Sequence, residues 1–156
     1  MRCASIDIGT NTLRLLIADR DPGPGISPVL YKRAITRLGG GYTEDEGITP
    51  EAAERTIKVL EEFSRLIAEN HVQEVFASAT SVVRRAKNKE SFLSSVSARA
   101  GINPSVISGT EEARLALAGV LSVLTDNAEK RLVIDIGGGS TEFIATRGTK
   151  IAGAWS

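Results

Sequence analysis

A chain of 156 residues, 42% apolar and 24% charged, has the makeup of an ordinary globular protein and can bury a sizeable core. Its 19 basic and 19 acidic residues balance, so no global field draws in polyanions, and a nucleic-acid binder, which usually shows a basic excess, is disfavoured. The single cysteine, Cys3, rules out an internal disulfide and fits a reducing cytoplasm. No apolar run reaches the roughly 18 residues of a membrane span, and Asp7 interrupts the N-terminus too early for a signal peptide.

Arg2 to Ile8 reads as a buried strand, with Cys3 a small apolar member, and Leu13 to Asp19 as its hairpin partner. Asp21-Pro-Gly-Pro-Gly is dense turn chemistry, and a third extended run spans Ser27 to Arg37. The glycines after Leu38 and the acidic stretch to Gly47 form a loop. Thr49-Pro50 opens a helix with an N-cap, a proline at the first position and Glu51 and Glu54 in the first turn. Its apolar face is Ala53, Ile57, Leu60, Phe63 and Ile67. Val72 to Ala79 is a strand. Asn88 is placed to cap a helix carrying Phe92, Val96 and Ala100, which Gly101 stops. Pro104 to Ile107 is a short strand, and Gly109 to about Leu124 a third helix with Leu117, Leu121 and Leu124 in one stripe. Past a polar connector, Arg131 to Asp135 and Thr141 to Thr146 form a second hairpin, and Lys150 to Trp155 begins another strand.

A meander followed by strand–helix alternation implies an α/β fold with a mixed sheet and flanking helices. The boundary is placed in the connector, giving a first unit at 1–126 and the opening of a similar one at 127–156. The second unit stops where its first helix is due, which reads as part of a longer protein in preference to a half-built unit that completes itself by association.

The two hairpins carry one pattern twice. Ile6-Asp7-Ile8 precedes Gly9, Thr10, Asn11 and Thr12; Ile134-Asp135-Ile136 precedes Gly137, Gly138, Gly139, Ser140 and Thr141. A glycine turn between strands lets backbone N–H groups approach phosphate oxygens, and small hydroxyl and amide side chains add donors without blocking the approach. The two copies lie too far apart for a solenoid period, so they suit two loops gripping one phosphate ligand from opposite sides. Neither turn is a P-loop, and neither leads into a helix as a dinucleotide fingerprint does.

These stretches resemble the actin, heat-shock chaperone and sugar-kinase superfamily and, within it, the exopolyphosphatase and guanosine pentaphosphate phosphohydrolase family. The matching segments are I-D-I-G-T-N-T-L-R-L-L-I-A-D, T-R-L-G-G-G, A-T-S-V-V-R-R-A-K-N, I-S-G-T-E-E-A-R-L and L-V-I-D-I-G-G-G-S-T-E-F, in that order. The resemblance implies a ribonuclease H-like (actin-like ATPase) half with a mixed five-stranded sheet, plus the opening hairpin of a second similar domain. It implies removal of a terminal phosphate from inorganic polyphosphate or guanosine pentaphosphate with a divalent metal, in a cytoplasmic enzyme that is a homodimer when full-length. Family members continue well past Ser156, so little activity is expected of these residues alone.

Hydrolysis of a phosphoanhydride needs an in-line water, neutralised phosphate charge and a group to take the proton. Ser108-Gly-Thr-Glu111-Glu112 offers two carboxylates at a helix start. Glu111 suits the structural half of a capping box, leaving Glu112 as the general base, and the resemblance points to the glutamate before Ala113. Asp135 and Glu142 can reach one hard cation that bridges phosphate oxygens, for which Mg²⁺ is suited. Both match the family's metal-associated acids, and Asp7 is the equivalent, weaker candidate in the first copy. Arg84 matches a phosphate-contacting arginine, a job the forked guanidinium fits. Arg85, Lys87 and Lys89 read as a solvated basic face, and His71 as a surface residue at a helix end. Two alternatives stand beside this reading: an acetate- or sugar-kinase-like phosphotransferase, against which G-T-E-E-A and T-S-V-V-R-R argue, and a non-catalytic actin-like nucleotide-binding module.

Overall fold

The computed structural model describes residues 1–20, 25–126 and 128–155. The expected turn at Asp21-Pro-Gly-Pro falls outside them. The first sheet contains β1 (Arg2–Ile8), β2 (Thr12–Arg20), β3 (Ile26–Ile35), β4 (Glu74–Ala79) and β5 (Ser105–Val106), in the order β3-β2-β1-β4-β5. β1 pairs antiparallel with β2 and parallel with β4, which makes the sheet mixed, as the meander followed by alternation predicts. β3 stops two residues short of the expected Arg37. The amides of Thr36 and Arg37 turn away to donate to the Asn11 carbonyl, both at 3.0 Å, and Arg37 takes a φ of 50°.

Alternation sets the core. Ala4, Ile6 and Ile8 of β1 and Leu13, Leu15 and Ile17 of β2 all face one side and are buried. Against them pack α1 (Pro50–Glu69), through Ile57, Leu60 and Phe63, and α3 (Lys89–Ala100), through Phe92 and Val96. Each such side chain contributes about 1.5–3 kcal/mol by leaving water. Thr49 caps α1 as expected, its hydroxyl accepting from the Ala52 amide at 3.2 Å. Arg99 of α3 donates to Glu54 and Glu61 of α1 and ties the two helices together. Cys3 is only half-buried, because it alternates onto the opposite face of β1.

Two local expectations change. Asn88 occupies the cap position of α3, but its side chain makes no capping bond. It accepts from the Ile48 amide at 2.9 Å and donates to the Ile48 carbonyl at 2.8 Å, pinning the loop before α1. A further helix, α2 (Ser81–Arg85), follows β4 directly, within a run whose apolar residues carry no periodicity long enough to reveal a single turn.

The second sheet is β6 (Lys130–Ile136), β7 (Thr141–Arg147) and β8 (Lys150–Trp155), all antiparallel. The helix α4 (Gly109–Leu121) leaves the first sheet after β5 and lays Ala113 and Leu117 on Ile144 of the second. It packs on the second sheet, and the Arg84–Glu112 ion pair links it back to the segment after β4.

Candidate active site

The sequence repeat is a structural repeat. In the first hairpin Asp7 pairs across the strands with Arg14 and Ile8 with Leu13, and the turn closes with Gly9 N–H donating to the Thr12 carbonyl at 3.1 Å. In the second, Asp135 pairs with Glu142 and Ile136 with Thr141, and Gly137 N–H donates to the Ser140 carbonyl at 2.9 Å. Directly opposed residues share a sheet face. The first copy therefore sets an arginine beside its aspartate, and the second sets a glutamate there.

The two turns meet. A methyl group placed on Gly138 would come within 2.4 Å of Asn11 Nδ2, and one on Gly139 within 2.5 Å of Thr10 Oγ1. Ser81, at the start of α2, donates its hydroxyl to the Gly139 carbonyl at 3.1 Å and fastens the second loop to the first sheet. The Thr10 carbonyl accepts from Gly39 N–H at 2.8 Å, so the T-R-L-G-G-G segment buttresses the first loop from behind. The Thr10 hydroxyl is buried, with no partner among the described residues, at the point where the turns touch.

Between the turns lies a cleft of about 280 Å³. Of the residues singled out from sequence, it brings together Gly9, Thr10, Asn11, Thr12, Asp7, Glu112, Asp135, Gly137, Gly138, Gly139 and Ser140. Thr141, Glu142 and Arg84 do not line it, although Arg84 bonds to Glu112, which does. Glu142 is 2% exposed and lies beside the first turn of α4 in a neighbouring cavity with Gly109, Thr110 and Ala113.

The paired glutamates separate cleanly. Ser108 Oγ accepts from the Glu111 amide at 3.1 Å, but the Glu111 carboxylate turns outward to Arg114, at 2.8 and 2.7 Å, instead of completing a capping box. Glu112, one position on, faces the cleft. Arg84 Nη1 donates to it at 3.1 Å and to the Ile107 carbonyl at 2.7 Å.

Burial raises the Glu112 carboxyl above its ordinary value; the Arg84 hydrogen bond pulls it back, and the charges of Glu142 and Asp7 push it further up. Asp135 is raised by burial first, then by Glu142 and Asp7, with Arg14 opposing. Four acids thus crowd one region. Asp7 is tied to Arg14 at 2.6 Å. Among the described residues no three ligating side chains converge on one point as a protein cage. Mg²⁺, however, commonly keeps its waters and takes only one or two carboxylates together with substrate phosphates, and mutually repelling acids beside two glycine turns suit such an ion.

Arg14, Arg33, Thr80 and Ser81 also line the cleft and were not singled out from sequence. Arg14 was legible: it stands in the first copy where Glu142 stands in the second. Thr80 and Ser81 lie in the A-T-S-V-V-R-R segment that carries the resemblance, but nothing in their own spacing marks a role, which emerges only where α2 begins.

A mixed α/β sheet with a phosphate-type hairpin, joined by a crossing helix to a second hairpin of the same design, is the architecture of an actin-like half. A profile of the Ppx/GppA phosphatase family matches residues 16–156, and the chain belongs to that family. It is 36% identical over 151 residues to exopolyphosphatase 2 of Mycobacterium tuberculosis, covering 92% of this chain and 47% of that protein. Among solved structures, the Aquifex aeolicus PPX-GPPA enzyme is 40% identical with a TM-score of 0.86, covering 99% of this chain and 51% of that one. An exopolyphosphatase from Cytophaga hutchinsonii is 33% identical with a TM-score of 0.93, over 99% and 49% of the two chains. The chain therefore spans about half the length of the relatives it matches. An ethanolamine utilization protein, EutJ, from Carboxydothermus hydrogenoformans, at 17% identity and a TM-score of 0.53, shares the fold alone.

Proposed function

We propose that this chain supplies the phosphate grip and the general base of an enzyme that hydrolyses the terminal phosphoanhydride bond of inorganic polyphosphate or guanosine pentaphosphate. The observation that carries the reading is Glu112, turned into a cleft walled by two glycine hairpins of one design. With Gly9 N–H and Gly137 N–H closing the turns, the backbone amides at the tips, those of Thr10 and Asn11 and of Gly138, Gly139 and Ser140, hold the terminal phosphate, with the hydroxyl of Ser140 beside them. Arg84 leaves Glu112 for a phosphate oxygen when substrate enters, which neutralises charge and releases the carboxylate. Glu112 then orients a water in line with the scissile bond and takes its proton, while the remaining phosphate chain leaves. A divalent cation, Mg²⁺ by the chemistry of the donors, would be held by Asp135 with Glu142 behind it and Asp7 across the cleft. Its contribution is to neutralise phosphate charge.

The division is proposed at 1–126 and 127–156, in the polar connector, with α4 counted in the first unit although its Ala113 and Leu117 pack on the second sheet. A cytoplasmic setting accords with the free thiol of Cys3, no helix among the described residues is long and apolar enough to cross a membrane, and the full-length protein is proposed to pair with a second copy. The test is phosphate release from long-chain polyphosphate and from guanosine pentaphosphate by the full-length protein, wild type against Glu112→Gln. Unchanged turnover in the variant refutes the role of Glu112. Phosphate transfer from ATP to a small acceptor, without bare hydrolysis, would favour the kinase-like alternative.

A further inference from the structure

Asp7, Arg14 and Arg33 stand in one row across the first sheet: Arg14 is the register partner of Asp7 on β1 and of Arg33 on β3. All three line the cleft. With strands about 4.8 Å apart, the backbone at Arg33 lies about 10 Å out from that at Asp7. The two arginines are not equivalent. Arg14 is neutralised by Asp7 at 2.6 Å, whereas Arg33 is exposed and joins no ion pair among the described residues. Like charges directly opposite each other on antiparallel strands repel, so the sheet itself gains nothing from a second guanidinium beside Arg14. Its position at the mouth of a cleft built for phosphate gives it a use.

We infer that Arg33 is an outer anion anchor, binding a phosphoryl group of the substrate that lies beyond the scissile bond. The inference rests on the reading of the cleft as a phosphoanhydride site and adds to it the direction in which the substrate chain leaves: outward along the row from Asp7 over β2 to β3. A guanidinium with no acid to satisfy it can engage a phosphate in a bidentate fork without first breaking an ion pair, unlike Arg14 and Arg84. Arg33 touches no reacting atom. It sets affinity for chains long enough to reach it.

The experiment compares Arg33→Ala and Arg33→Lys with wild type in the full-length protein, using long-chain polyphosphate over a range of salt concentrations. Arg33→Ala should raise KM roughly fivefold, the worth of one charge-assisted contact, with kcat nearly constant. The slope of log KM against log salt should fall by about 0.7, one polyanion contact. Arg33→Lys should recover part of the affinity, and Tm should hold or rise in Arg33→Ala because a repulsion is removed. A wild-type KM and salt slope in Arg33→Ala overturn the inference, as does a parallel loss of kcat and Tm, which marks a structural role. If wild type releases no phosphate from polyphosphate, the functional reading fails separately; the anchor is then decided by equilibrium binding of the same polyphosphate, and equal affinity of wild type and Arg33→Ala overturns it.

Discussion

Arg84 Nη1 lies 3.1 Å from Glu112 Oε2, and both side chains are largely shielded, at 28% and 17% exposed. The proposed phosphate ligand and the proposed base therefore hold each other before substrate arrives. Such a pair keeps an otherwise costly buried charge compensated, and it makes the approach of an anion the event that uncouples them. The Ile107 carbonyl, 2.7 Å from the same nitrogen, holds the guanidinium near the cleft when Glu112 lets go.

Glu112→Gln should lower kcat by about 10²–10⁴-fold, the usual worth of a positioned general base, while polyphosphate still binds. Glu111→Ala, whose carboxylate pairs with Arg114 outside the cleft, should leave turnover within a few-fold of wild type. Arg84→Lys should recover little of the loss in Arg84→Ala, because an ammonium cannot reproduce the fork that reaches both Ile107 and a phosphate oxygen. Steady-state kinetics on the full-length variants check all three. Equal losses in the two glutamate variants would overturn the division of labour between them.

This division was readable from sequence only by half. The Ser108-x-x-Glu111 spacing located the helix start correctly, and with it the direction in which Glu112 faces. It missed where Glu111 sends its carboxylate, because the competitor, Arg114, sits one turn on and offers a charged fork in place of an amide. The duplicated hairpins were legible as strand, glycine turn and returning strand, and alternation with a closed turn then fixes which residues stand opposite. The single-turn helix α2 was not, because five residues carry no periodicity, and the clamp of Asn88 on Ile48 was not, because it joins segments distant in sequence.

The meeting of the two loops depends on the absence of side chains at two positions. Gly138→Ala forces a methyl group onto Asn11, including its Cβ at 3.1 Å, and Gly139→Ala onto Thr10 and Ser81. Each substitution should part the turns and cost on the order of 1–3 kcal/mol by overpacking, together with a large loss of phosphate release. Thermal denaturation and activity measured on the same samples would show both effects. Wild-type activity in either variant would mean that the loops need not touch.

Gly119 provides the contrast. It lies inside α4, and a methyl group added there would meet nothing within 4 Å, so no packing demand explains the glycine. Gly119→Ala should stabilise the protein by about 0.5–1 kcal/mol through helix propensity alone. A lower Tm would show that α4 needs the freedom of that glycine as it crosses between the sheets.

The crowding of acids makes stability depend on pH in a direction that can be worked out. Asp135 takes up a proton more readily in the folded chain than its ordinary value of 3.8 implies, because burial and the charges of Glu142 and Asp7 disfavour its carboxylate. Its contribution to stability is therefore fully present below that ordinary value and is lost as pH rises through the raised one. Asp19, held below the usual range by Arg2, and Asp126, held there by the Ala128 amide and then by Arg131, act oppositely and weaken the fold only as pH falls. Asp135→Asn removes the first effect and leaves the second. Without divalent metal, the variant should melt above wild type at pH 7, and the gap should close as pH drops to about 4. Added Mg²⁺ should then raise the wild-type Tm more than that of Asp135→Asn, since only the wild type gains relief of its repulsion. Equal Mg²⁺ shifts in the two proteins would remove Asp135 from the proposed metal ligands.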